Sequence, residues 1–307
     1  MELPKQVVNM KKKFHFVPFF LLLTGLLNAQ DIPVSDVYAF TMKKFNDTTY
    51  NFSNPRFLTA FNMDGYNNQP HFVEENLLYL TIQFPDQPQT DIYALDLTKN
   101  EFTQVTRTVE SEYSPTRVPG TQNFTSVRVE ADGQGTQRLW KFPLDRRSMG
   151  TPVFNDITGV GYHHWVNPYK VALFIVDQPN HLVLANTLTG SQVQMIDNVG
   201  RGMARLPGDN LAFIHKINDQ NWILKEMDTY TYRSKEIVTS LPNSEDFLYL
   251  EEDRTFLMGN GSKLYKFKKF VDKNWVEIAD FRYFGIKNIT RLALSPNGTI
   301  AIVDRIK

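Results

Sequence analysis

The strongest constraint on this chain is a repeat. Short breaks made of turn residues, each between two apolar runs, occur at Glu74-Glu75-Asn76, Pro119-Gly120-Thr121, Asn167-Pro168-Tyr169, Pro207-Gly208-Asp209, Glu252-Asp253-Arg254 and Pro296-Asn297-Gly298. Their first residues are 74, 119, 167, 207, 252 and 296, so the steps are 45, 48, 40, 45 and 44 residues. The last break is the clearest. Leu292-Ala293-Leu294 leads into Ser295-Pro296-Asn297-Gly298, and Ile300-Ala301-Ile302-Val303 leads out. Proline presets φ, asparagine and glycine accept positive φ, and the flanking runs read as a β-hairpin. A lone hairpin is not stable in water, so the unit must be stacked or ringed. A period of about 40–45 residues with four strands per unit predicts a β-propeller. The fold class is therefore all-β, a six-bladed β-propeller.

A third strand follows each hairpin. Asp91-Ile92-Tyr93-Ala94-Leu95-Asp96 is the clearest copy, followed by Arg138 to Phe142, Leu182 to Asn186, Leu224 to Asp228 and Lys263 to Phe267. The sixth hairpin runs to Lys307 and lacks this strand. Asp36-Val37-Tyr38-Ala39-Phe40 matches the type of Asp91-Ile92-Tyr93-Ala94-Leu95 at every position. The N-terminal strands are thus predicted to close the last blade, with residues 51–58 as its fourth strand. That arrangement hides the free edges of the ring.

The first 29 residues do not belong to this pattern. Lys11, Lys12 and Lys13 precede an apolar run from Phe16 to Leu27, and Asn28-Ala29 forms a small-residue exit. This reads as a secretory signal peptide cleaved after Ala29, its true start at Met1 or Met10; the run is too short to span a membrane. Residues 30–307 then form one domain, located in the periplasm or outside the cell, with no integral membrane segment after cleavage. Cleavage removes four lysines and one glutamate from 33 basic and 33 acidic residues, leaving 29 and 32, a net charge of −3. Nothing in that balance steers the protein toward nucleic acid or an anionic membrane. The chain has no cysteine, which excludes disulfides, thiolate metal sites and a cysteine nucleophile. It must rest on its core, and it is long enough to build one.

Leu294-Ser295-Pro296-Asn297-Gly298 followed by Ile300-Ala301-Ile302 resembles the SPDG hairpin of the TolB-like, PD40-repeat propellers. Gln69-Pro70-His71-Phe72 with Leu78-Tyr79-Leu80 and Thr90-Asp91-Ile92-Tyr93 resembles the same repeat, as does Tyr113-Ser114-Pro115 with Gln137-Arg138-Leu139-Trp140. The likeness covers the whole of residues 30–307. The leader ending Asn28-Ala29-Gln30 is similar to those of Bacteroidetes-type exported proteins. The resemblance implies a six-bladed ring in the periplasm. TolB proper carries an α/β domain before its propeller, which this chain is not expected to have, so TolB's role with the peptidoglycan-associated lipoprotein is not carried over.

No Gly-x-Ser-x-Gly elbow, His-Glu-x-x-His helix, Walker loop, Rossmann fingerprint or EF-hand loop occurs, and no cofactor or metal is expected. Gly259-Asn260-Gly261-Ser262 lies between apolar strands and reads as a hairpin turn. His163-His164 is the one adjacent histidine pair. Neighbouring strand residues point to opposite faces, so the pair cannot share a metal from the strand alone. The residues just before each first strand are Gln69, Glu112, His163, Arg201, Glu245 with Asp246, and Arg291. The first strand of a propeller blade is innermost, so these seven are expected to ring one mouth of the channel. There they could bind a polar ligand or neutralise one another. Most of the aromatic residues are expected to fill the space between blades.

The function expected is a non-catalytic binding module for a protein or cell-envelope component. Two alternatives stay open: a channel-mouth enzyme of the metal-dependent hydrolase or lactonase type, with Glu112, His163 and Glu245 as its acid, base or ligand groups, and a small-molecule binding protein.

Overall fold

The structure is a computed structural model that describes residues 32–306; the expected signal peptide and its cleavage point lie outside the described residues. The strands form six four-stranded antiparallel sheets. Blade one holds Tyr66–Glu74, Leu77–Gln83, Asp91–Asp96 and Glu101–Gln104, and blade two Ser111–Arg117, Asn123–Val129, Gln137–Pro143 and Thr151–Pro152. Blade three holds Val160–Trp165, Lys170–Ile175, His181–Asn186 and Gln192–Asp197, and blade four Val199–Leu206, Asn210–Asn218, Asn221–Met227 and Ser234–Thr239. Blade five holds Phe247–Leu250, Thr255–Asn260, Lys263–Lys268 and Val276–Asp280. All six breaks that set the repeat fall between the first and second strands of a blade. The Gly259–Ser262 stretch forms the turn of a hairpin in which Asn260 pairs with Lys263.

Blade six is built from both ends of the chain. Its order is Ile289–Leu294, Thr299–Arg305, Ser35–Lys44 and Tyr50–Phe57. Val37 pairs with Val303, Ala39 with Ala301 and Phe40 with Ile300. The closing strands repeat the hydrogen bonding of blade one. Thr59 Oγ1 accepts the Val37 amide at 3.0 Å, as Thr106 Oγ1 accepts the Ile92 amide at 2.9 Å. First strands touch one another in cyclic order, and blade six returns to blade one. The chain is therefore a closed six-bladed β-propeller.

The second strands explain why the ring is stable. KVALFI, NLAFI and TIAIV are apolar at every position after their first residue, because such a strand is covered on both faces. With a period of two, alternate residues serve opposite blades. Val171 and Leu173 pack toward blade two, whereas Ala172 and Phe174 pack toward blade four. Ala301 and Val303 face blade one, and Ile300 and Ile302 face blade five. The core is thus divided into six apolar clusters, one at each junction. Aromatic rings fill these wedges as expected: Phe124 stacks on Phe142 at 5.1 Å, and Phe40 meets Phe281 at 4.8 Å. Each fully buried large side chain contributes about 1.5–3 kcal/mol.

Candidate functional site

Inner strands carry the side chains that reach the channel, and bulges re-aim them. The ladder between first and second strands slips between Asn68 and His71, Tyr113 and Thr116, Val160 and Tyr162, Val199 and Met203, and Ile289 and Arg291. An extra residue in a strand breaks the in–out alternation and turns the next side chain to the other face. Gln69, Glu112, His163, Arg201 and Arg291 consequently lie within first strands, and of the seven candidates Glu245 and Asp246 precede one.

Arg201, Glu245, Asp246 and Arg291 come together. Arg201 Nη1 lies 3.2 Å from Glu245 Oε1, and Lys216 Nζ lies 2.8 Å from Glu245 Oε2. Arg291 Nη1 lies 3.0 Å from Asp246 Oδ2. The Arg291 guanidinium also sits 4.8 Å from the centre of the Tyr162 ring. Burial works against the carboxylate of Glu245, but Arg201 and Lys216 outweigh it and hold its pKa below the ordinary value. For Asp246 burial prevails over Arg291 and Arg201 and raises it. Burial raises the Tyr66 hydroxyl, which lies within electrostatic reach of Arg291, Tyr162, Tyr113 and Arg201. Inner strands of five blades therefore send polar groups toward one region.

This cluster borders a cavity of about 570 Å³ between the loops that enter blades five and six. Its lining includes Arg201, Glu245, Asp246, Thr290, Arg291 and Arg305. Two buried polar atoms there have no hydrogen-bond partner, Thr290 Oγ1 and Arg201 Nε, the latter 4.0 Å from Asp246 Oδ2. The approach of blade four to this wall depends on a glycine. A Cβ on Gly202 would stand 1.9 Å from the Glu245 carbonyl oxygen. Gly202→Ala is expected to destabilise the protein by about 1–3 kcal/mol, as overpacking does, seen as a lower urea midpoint.

Gln69, Glu112 and His163 are engaged elsewhere. Gln69 Oε1 accepts the Ser114 amide at 2.8 Å and the Thr81 hydroxyl at 2.7 Å, joining blades one and two. Glu112 is fully buried and lies across the ladder from Arg128, whose Nε is 2.9 Å from Glu112 Oε1. Arg128, not Arg201 or Arg291, is the cation beside Glu112. Burial, partly offset by Thr108 and Arg128, pushes the Glu112 carboxyl up to about 7. His163 Nε2 lies 2.7 Å from Thr125 Oγ1, which also accepts the Trp165 indole N–H. His71 and His164 each use Nε2 to accept a backbone amide of a neighbouring blade, from Arg117 and Arg205. Burial holds His71 and His164 down to about 4 and His163 to about 3, so all three are neutral near pH 7. The acid, base and ligand set of the enzyme alternative, Glu112, His163 and Glu245, is spread over blades two, three and five. Among the described residues no group of three or more His, Asp or Glu side chains is placed to hold a metal ion. Nor is any helix among them long and apolar enough to cross a membrane.

No family model matches the chain, and no curated protein does. Solved structures do match. A structure described as a TolB from Agrobacterium tumefaciens aligns at 9% identity and a TM-score of 0.66, covering 90% of this chain and 99% of that one. TolB from Acinetobacter baumannii aligns at 11% identity and 0.55, covering 88% of this chain, which spans 64% of the length of that protein. An oligogalacturonate lyase in complex with manganese aligns at 10% identity and 0.53, covering 84% of this chain and 83% of the lyase. The shared feature is the fold, a TolB-like six-bladed propeller.

Proposed function

We propose that this propeller is an exported, non-catalytic binding module whose partner, a protein or cell-envelope component, engages the channel mouth between blades five and six. The observation that carries the reading is the cavity wall. Arg201, Lys216 and Arg291 neutralise Glu245 and Asp246 without exhausting their donors: Thr290 Oγ1 has no hydrogen-bond partner, and Arg201 Nε has none nearer than Asp246 Oδ2 at 4.0 Å. Buried donors without acceptors are unfavourable unless a ligand supplies the acceptor. The cavity also lies within the size range of small-ligand sites, about 300–1,000 Å³. This keeps a small-molecule ligand as the second reading.

The localisation rests on the leader pattern at Lys11–Ala29 and on the TolB-like fold. Protein isolated from the periplasmic fraction is expected to begin at Gln30. Immobilised on a resin, it is expected to retain a partner from envelope extract. Asn288→Trp places a large ring at an exposed position of the cavity lining. This plug should reduce the retained partner about tenfold or more while the thermal midpoint stays unchanged. Equal capture by the plugged and parent proteins would remove the channel mouth as the binding surface. A small molecule that protects the parent from unfolding, and not the plugged variant, would select the second reading.

A further inference from the structure

The two strands that close the ring bring two aspartates face to face. Asp36 and Asp304 are direct cross-strand partners between Ser35–Lys44 and Thr299–Arg305. Directly opposed residues share a face of the sheet, with Cβ atoms about 4.5–5.5 Å apart. Asp304 is fully buried and Asp36 is 9% exposed. One oxygen of each, Asp36 Oδ1 and Asp304 Oδ2, is buried without a hydrogen-bond partner. Asp304 Oδ1 accepts the backbone amides of Lys287 and Asn288 at 3.1 and 2.7 Å.

Blade one provides an internal control. Asp91 holds the position of Asp36, one residue before the amide that Thr106 accepts. Asp91 receives the Gln104 amide at 3.0 Å and the Thr106 hydroxyl at 3.2 Å, and its cross-strand partner is Ile82. In blade six, Phe57 stands opposite Tyr38 where Gln104 stands opposite Tyr93, and an aspartate replaces the isoleucine. Asp36 has therefore lost a donor and gained a carboxylate neighbour.

We propose that Asp36 is protonated and donates a hydrogen bond to Asp304, so that one shared proton fastens the seam that closes the ring. Two buried carboxylates side by side cannot both ionise without a large penalty, and a shared proton supplies the partner that each orphan oxygen lacks. Asp304 serves as the acceptor, its other oxygen already holding the backbone amides of Lys287 and Asn288. Besides burial, the groups that act on Asp36 are the carboxylates of Asp304 and Asp64. Asp64 adds repulsion, and the Tyr38 phenol is neutral. Lys287 contributes its backbone amide and an exposed side chain, Arg282 is paired with Asp280, and Arg305 lines the cavity from the position after Asp304. Burial first, then Asp304 and Asp64, raise Asp36 to about 6.

The linkage has a definite sign. A carboxyl whose folded pKa is raised contributes stability that is complete below its unfolded value and is lost as pH rises through its folded value. A shift from 3.8 to about 6 weakens the folding equilibrium about a hundredfold between pH 4 and 7. The buried histidines act in the opposite direction and Glu112 in the same one, so the test compares variants at matched pH. Asp36→Asn mimics the protonated form and keeps a donor toward Asp304. It should stabilise the protein at pH 7.5 relative to the parent and remove about a hundredfold of the loss in folding equilibrium that the parent suffers between pH 4 and 7. With ¹³C-carboxyl-labelled aspartate, NMR should show one carboxyl titrating near pH 6 that disappears in Asp36→Asn. In Asp304→Asn the same resonance should fall by a unit or more. Parallel pH-stability curves for parent and Asp36→Asn would overturn the shared proton. So would an Asp36 titration that Asp304→Asn leaves unmoved.

Discussion

Phe40→Ala is expected to destabilise the protein by about 3–5 kcal/mol, the range for truncating a buried phenylalanine. Phe40 is 1% exposed, lies in the third strand of blade six and packs on Phe281 of the blade-five side and on Phe284. It is separated in sequence from the hairpin it pairs with by nearly the whole chain, so the loss falls on the one junction that closes the ring. Because blade six holds both ends of the chain and packs on blades one and five, weakening this seam should lower the midpoint of the entire transition in urea, not of one blade alone. Phe45→Ala, at a 68% exposed turn position of the same hairpin, should stay within about 0.5 kcal/mol of the parent. If the two variants melt alike, the N-terminal strands do not carry the closure.

The second large effect is expected at Arg128. Its guanidinium touches Glu112 and lies 4.1 Å from the centre of the Trp140 ring. Removing one member of a buried ion pair strands the other and costs about 3–5 kcal/mol. Here the size should depend on pH. Glu112 titrates at about 7 in the folded protein against an ordinary value of 4.5, so its contribution is complete below 4.5 and is lost as pH rises through 7. Without Arg128 the carboxyl rises further. Arg128→Met should therefore cost the most at pH 8, and near pH 4 only the packing, the ring contact and the hydrogen bonds to the Met149 carbonyl and the neutral Glu112. Adding Glu112→Gln should recover most of the loss at pH 8. Denaturant curves of the single and double variants at both pH values measure this; a loss independent of pH would show that Arg128 acts through packing.

The seven candidates show how far a repeat can be followed into a site. Counting from each turn found the right strands, because turn chemistry and apolar runs are local signals. It did not find which way Gln69, Glu112 and His163 point. In four first strands the bulge shifts the parity by one residue, whereas in blade four the slip between Val199 and Met203 inserts two, and a bulge has no reliable composition mark when the residue at positive φ is glutamine or serine, as at Gln69 and Ser114. Arg128 was missed for another reason. It sits in a second strand, and its partner is set by ladder register across a turn, not by spacing along the chain.

What the sequence determined by itself was the architecture. A regular spacing of hairpins, apolar runs on either side of each turn, and a leading segment typed like Asp91–Leu95 specify six blades and their closure, because each property acts within one repeat. What only the tertiary structure decided was the chemistry between repeats. The grouping of Arg201, Glu245, Asp246 and Arg291, the separate burial of Glu112 with Arg128, and the meeting of Asp36 with Asp304 all arise from residues that are distant in sequence. Their contacts depend on register, bulge placement and ring closure. Charge interactions fall with distance and strengthen with burial, and neither quantity is defined until the ring is closed.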